Sequence, residues 1–399
     1  MWDKIERSKK SQKTELILGW MDGAMESEEY VRQARDAVYK AESKIPEISV
    51  FRNVPQSAPW HAEGITLMHH IERMMTGFFA MLNEDFNVLQ FEEFAREKNL
   101  KLEFTEMQEI LREQAATLEA FIILHDIAKR DVISFAAPAG SLGAAEGFQK
   151  GSKLKPEIQS QNYLKLARAY SAQSNDLSDS DLAARFYDKY QIRVHYYDHS
   201  QMAVSEKYEA TREAIGDLYR LTARDREMLR LIVKYHMDAI LFFKHGVDAS
   251  KYSLMGSRAT KSGLDADDYL DIQLAALFLD TTIGTRVYKE GKCISDVNPV
   301  LNILRSEEMS APHRRQRRQV GLEQRQKSAF KHILKTVELD SESVFEKMEI
   351  PFGPGRAQVI EELHNLIKNS EELIDTNKYS SEMIKKIEAA RGLYEARQA

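Results

Sequence analysis

Breakers of regular structure are scarce in this chain, and that limits its fold more than any other feature. Only 9 prolines and 18 glycines punctuate 399 residues, and helix formers dominate between them. Because Gly and Pro are the strongest local interrupters of helices, such uninterrupted stretches favour helices over strands. From about 62 to 83 the apolar positions Ile65, Leu67, Met68, Ile71, Met74, Met75, Phe78 and Phe79 recur at near-helical spacing. Residues 105–130 read as a second helix, apolar at Ile110, Leu111, Leu118, Phe121, Ile122 and Leu124 and ending at His125-Asp126. Further helices are expected around 160–175, 181–209, 211–220, 223–244 and 265–289, and over 296–399 with a break at 351–355. The expected fold class is all-α. Residues 53–59, with prolines at 55 and 59, read as a loop, and 136–156, holding Gly140, Gly143, Gly147 and Gly151, as a mobile loop or lid.

Composition narrows the class. With 43% hydrophobic and 30% charged residues the chain is that of a folded protein. A net charge of -6 gives no general reason to expect nucleic-acid binding, so a polyanion partner would need a local basic patch. One exists. Residues 305–335 hold nine Lys or Arg against three acids, densest at Arg314, Arg315, Arg317 and Arg318. The stretch reads either as a contact to an RNA backbone, weakening steeply with salt, or as a solvated helix face or oligomer contact. A single cysteine, Cys293, excludes an intramolecular disulfide framework. No apolar signal core follows Met1-Trp2-Asp3-Lys4, and the apolar run 274–279 is far short of the ~20 residues that span a bilayer. A cytoplasmic location is the expectation.

The chemistry centres on Ile122-Ile123-Leu124-His125-Asp126-Ile127-Ala128-Lys129, where an apolar helix delivers an adjacent imidazole and carboxylate into the interior. A buried carboxylate is costly unless a cation compensates it, and imidazole with carboxylate is a good ligand set for first-row divalent ions. Other candidate ligands lie on apolar segments: His69, His199, His236, and Asp280 closing the run Leu274-Ala275-Ala276-Leu277-Phe278-Leu279. Singly, each histidine reads equally as a satisfied core or surface imidazole.

The order His69 … His125-Asp126 … Asp280 resembles the H…HD…D signature of HD-domain metal-dependent phosphohydrolases. His199 and His236 resemble the two additional histidines of the subgroup that holds two metals, and Lys129 matches the lysine of the HD-x-x-K form. The stretch His61-Ala62-Glu63-Gly64 with His69 following is similar to the H-P-E-G-x-x-x-x-H element of HD domains attached to CCA-adding and poly(A) polymerase-type nucleotidyltransferases. Asp280-Thr281-Thr282, Arg286 and Ile350-Pro351-Phe352-Gly353-Pro354-Gly355 are similar to that family's C-terminal half. Ala62 stands where the family has proline, and no Gly-Ser loop with paired aspartates precedes the HD region, so nucleotidyl transfer is not expected.

The resemblance implies an HD helical bundle over 55–295, with helical extensions over 1–54 and 296–399. It implies one or two divalent ions (Mn, Fe, Co, Ni, Zn or Mg), with Asp126 shared between His69, His125 and Asp280 on one side and His199 and His236 on the other. It further implies hydrolysis of a nucleotide or RNA-end phosphoester, Asp126 and Lys129 acting in catalysis. Lys129, Arg286 and His195 are candidate substrate contacts, and His61 and Glu63 are placed to orient His69. Two other functions share this ligand set: a di-iron oxygenase acting on a small molecule, and a non-catalytic scaffold that binds nucleotide.

Overall fold

The structure is a computed structural model, and it describes residues 27–83, 104–174, 177–244 and 249–295. The chain divides into two compact units, Met1–His313 and Arg314–Ala399, and every described residue belongs to the first. Both the Arg314–Arg318 cluster and the segment from Ile350 to Gly355 lie outside the described residues.

Among the described residues the protein is mostly helical, with two small antiparallel sheets of two strands each. Helix α1 (Glu28–Lys44) is followed by a 3₁₀ segment, Pro46–Asn53, and then by α2 (Leu67–Leu82). Next come α3 (Phe104–Glu113) and α4 (Ala115–Leu124), strand β1 (Ile133–Ala136), and α5 (Pro156–Ser171) and α6 (Asp179–Tyr190). Strand β2 (Arg193–Tyr196) precedes the short α7 (His199–Ala203), then α8 (Glu209–Leu218), α9 (Ala223–Lys244), α10 (Ala249–Lys261) and α11 (Ala266–Leu277). A π-helical segment, Phe278–Gly284, leads from α11 into the hairpin β3 (Arg286–Lys289) and β4 (Lys292–Ser295).

The sequence of each central helix explains its place. α4, AATLEAFIIL, is apolar on all sides and is buried from Ala120 through Leu124, as a helix surrounded by others must be. α2 buries the stripe Leu67, His70, Ile71, Met74, Met75 and Phe78. α11 starts at an N-cap, Asp265, whose carboxylate accepts from the backbone N–H of Asp267 and Asp268 at 3.0 and 3.1 Å. These helices share the main core with α1 and the 3₁₀ segment, so Ala34, Val38, Ile48 and Phe51 are built into the same interior as Phe121 and Leu124 of α4. None of the described helices is long and apolar enough to cross a membrane.

Two expectations need correction. Residues 193–196 and 286–289, read as helical, are strands. β1 pairs with β2 with Ile133 opposite Tyr196 and Ser134 opposite His195. A left-handed residue, Gln191 (φ 52°), ends α6 and turns the chain into β2. Within the glycine-rich stretch, Ala144–Phe148 form a short helical segment, and Phe148 is buried in a second core with Phe135, Tyr163, Phe186 and Val194. Tyr196 packs against both cores.

Candidate metal centre

Five elements of the main core converge on Asp126. His125 continues the end of α4, and its Nδ1 faces the carbonyl oxygens of Phe121 and Ile122 at 3.2 and 3.1 Å. His199 and His236 are held the same way, Nδ1 to Tyr196 O at 3.0 Å and to Val233 O at 2.7 Å. Carbonyls accept only, so Nδ1 of each ring is the donor there and Nε2 is the atom turned inward.

The two oxygens of Asp126 serve different neighbours. Oδ2 lies 3.2 Å from His125 Nε2 and 4.0 Å from His70 Nε2, and Asp280 Oδ1 lies 3.2 Å from the same His70 nitrogen. Oδ1 lies 3.1 Å from His199 Nε2 and 4.0 Å from His236 Nε2. The ring nitrogens His199 Nε2 and His236 Nε2 are 3.1 Å apart. His70, His125, Asp126, His199, His236 and Asp280 are all buried.

This donor set fits divalent ions. Both ring nitrogens of His70, His125 Nε2 and both Asp126 oxygens are buried without a well-directed hydrogen bond among the described residues, which native interiors rarely tolerate. Imidazole nitrogens that face one another and a carboxylate that splits its oxygens between two histidine groups are the donors a divalent cation takes. His70, His125 and Asp126 form one group able to hold an ion, and Asp126, His199 and His236 another.

The electrostatics follow. Burial alone would raise Asp126, but His125 and Lys129 hold its carboxyl well below the usual carboxylate range. Asp280 is likewise lowered against its burial by His70 and His125. Burial, with His199 and His125 nearby, pushes His236 down to about 3. For His70, burial works downward, yet Asp280 and Glu63 outweigh it and lift the ring to about 10.

His70 replaces His69 in the expected set. His69 is the third residue of α2 and is used for the helix start: its Nδ1 lies 2.9 Å from Thr66 Oγ1 and accepts from the Thr66 backbone N–H at 3.3 Å, a capping box. Its Nε2 faces Asp179, 3.8 Å away on α6. One residue on a helix is about 100° of rotation, and only position 70 shares the face of Leu67, Ile71 and Met74. His70→Ala is therefore expected to lower divalent-metal affinity at least ~100-fold, whereas His69→Ala leaves it within a factor of ~2 and shows only the loss of a cap. Calorimetric titration of both variants with Mn²⁺ distinguishes them.

Glu63 orients His70, not His69. Its Oε1 lies 3.2 Å from His70 Nδ1 and 2.9 Å from His61 Nδ1, while Oε2 accepts from the Arg286 backbone N–H at 3.0 Å. A carboxylate behind a ligating imidazole fixes its ring and tautomer, and removing it costs about 10–100-fold in metal affinity. Glu63→Gln is expected to fall in that range, measured by competition with a chelating dye. Gly284 lets the π-helical segment pack closely on Met74 and His70. A Cβ there would come within 2.3 Å of Met74 Cγ and 2.9 Å of His70 Cε1.

Lys129 is buried rather than solvated: its Nζ lies 2.6 Å from Asp126 Oδ2 and 4.8 Å from the centre of the Tyr196 ring. The hydroxyl of Tyr196 donates to the Pro55 carbonyl. Arg286 and His195 are not brought to the cluster. The Arg286 Nη1 donates to Ser180 Oγ at 3.4 Å, and His195 packs against Trp60 and Tyr197. Against this geometry, no protein-family profile, curated protein or solved structure matches the chain.

Proposed function

We propose that the protein is a metal-dependent phosphohydrolase acting on a phosphoester of a nucleotide or an RNA end. The observation that carries this reading is the division of Asp126: one oxygen faces His70 and His125 with Asp280 close by, and the other faces His199 and His236. Two bound divalent ions would supply Lewis-acid polarisation of phosphoryl oxygens and a water acidic enough to attack near neutral pH. His70, His125, Asp126 and Asp280 would hold one ion, and Asp126, His199 and His236 the other.

The chain's own contribution is to hold these donors in place before substrate arrives. Main-chain carbonyls fix the Nδ1 side of three imidazoles, and Glu63 faces Nδ1 of the fourth. Lys129 places a fixed positive charge beside Asp126. There it stabilises charge building on the phosphoryl oxygens in the transition state, a task in phosphate hydrolysis that small-molecule oxidation does not require. Phe121 and Tyr196 flank the cluster and limit water around it.

The test is purification with Mn, Co, Ni or Mg and a screen of nucleotides, cyclic nucleotides and RNA ends for phosphate release, with Asp126→Ala as the control. Metal-dependent release that the variant lacks supports the reading. Equal release by both proteins assigns the activity to a contaminant, and a mixed-valent iron pair with an EPR signal turns the reading to an oxygenase.

A further inference from the structure

Strand β2 sends its side chains two ways. Val194, 5% exposed, enters the second core, and Tyr196 packs between the cores beside Lys129. Arg193 and Tyr197 are exposed and His195 half-buried, so the alternate positions form an outer face of basic and aromatic groups. Trp60, from the loop ahead of α2, joins them: its ring centre lies 5.4 Å from that of His195, tilted by 52°. His195 and Tyr197 lie nearly parallel, 14° apart at 5.8 Å. The Arg193 guanidinium lies 5.7 Å from the Trp60 ring, and its Nε donates to the Tyr187 hydroxyl at 3.2 Å.

Trp60 is 43% exposed and Tyr197 68%. Single exposed aromatics are common and need no explanation, but here three rings and a guanidinium form one continuous run of ring contacts. We propose that Trp60, His195 and Tyr197, with Arg193, form a stacking platform for a nucleobase of the substrate. Every base offers a flat π-face, and stacking on exposed aromatic side chains with an adjoining arginine is how proteins hold bases without reading their edges. Exposed Asp198 follows Tyr197 directly, which disfavours a phosphate there and leaves the uncharged base as the fitting group. The same two segments run on to the candidate metal centre: Trp60 directly precedes His61, with Glu63 close behind, and Tyr197 is two residues before His199.

This inference takes its ligand class from the proposed hydrolysis of nucleotide phosphoesters, but its test does not need hydrolysis. The full chain is titrated calorimetrically with the 5′-phosphonates of adenosine and of ribose, whose P–C bond is not hydrolysed, and with penta-adenylate. The adenosine compound is expected to bind at least ~10-fold tighter than the ribose compound, the effect of one stacked base. Tyr197→Ala and Trp60→Ala, both at exposed positions, should each remove most of that preference while ribose phosphonate binding and the circular dichroism spectrum stay unchanged. Tighter binding of penta-adenylate than of the adenosine phosphonate assigns an RNA strand, and equal binding a mononucleotide. Equal affinity for the two phosphonates, or a preference that survives both substitutions, overturns the platform even if the protein hydrolyses phosphoesters. A base preference without any phosphate release keeps the platform and removes the hydrolase reading.

Discussion

Asp126→Asn is expected to abolish tight divalent-metal binding and to lower any phosphohydrolase rate by on the order of 10³-fold or more. Asparagine keeps the shape but supplies one oxygen and one N–H₂ where Asp126 turns two anionic oxygens toward two histidine groups. The amide cannot ligate on both sides, and the negative charge that offsets Lys129 is gone. Breaking a buried pair by removing one partner costs about 3–5 kcal/mol, mostly from the charge left uncompensated. For that reason the variant is paired with Asp126→Asn/Lys129→Met, which removes both charges and should regain most of the lost stability without regaining metal. Elemental analysis of the purified proteins gives the metal content, and urea denaturation gives the stability. Wild-type metal content in either variant would show that Asp126 is not the shared ligand.

Phe121→Ala is expected to cost about 3–5 kcal/mol, lowering the melting temperature by roughly 10 °C for a domain of this size. The ring is fully buried, stacks on His125 at 4.9 Å and 27°, and meets His236 edge-on at 6.2 Å. Its loss leaves a cavity within α4 and removes the surface against which two candidate ligands are positioned. Metal affinity should therefore fall together with stability, although Phe121 donates nothing to an ion. A loss below about 1 kcal/mol in denaturant titrations would mean that the site collapses around the deletion.

The helical periodicity of α2 was plain in the residues, and it contained the answer to which histidine turns inward. His70 is three residues from Leu67 and one from Ile71, on the stripe that continues through Met74 and Phe78. Motif spacing pointed to His69, because the H-x-E-G-x-x-x-x-H pattern counts along the chain rather than around the helix. The adjacent His125-Asp126 pair at the end of an apolar helix was legible for the opposite reason: the last turn of α4, Ala120–Leu124, is buried throughout, so a polar group directly after it had to be buried too. Lys129 reads locally as a solvated lysine, and only the fold shows it pinned between Asp126 and Tyr196. Strand β2 was hidden because its partner, β1, lies far upstream and four residues carry too little period to declare themselves. Without that pairing, the outward alignment of His195 with Trp60 had no local signal.

The six inward donors come from positions as far apart as His70 and Asp280, and the chain between them passes through both cores. An ion seated among them would work as a clasp, fastening segments that no covalent cross-link joins, since Cys293 is the chain's single cysteine. Only the folded chain can assemble such a coordination shell, so free metal at 100 times its dissociation constant would add about 2.7 kcal/mol to the folding free energy. Thermal resistance would then report the metal supply around the protein, and a chelator would loosen the interior well before any substrate is turned over.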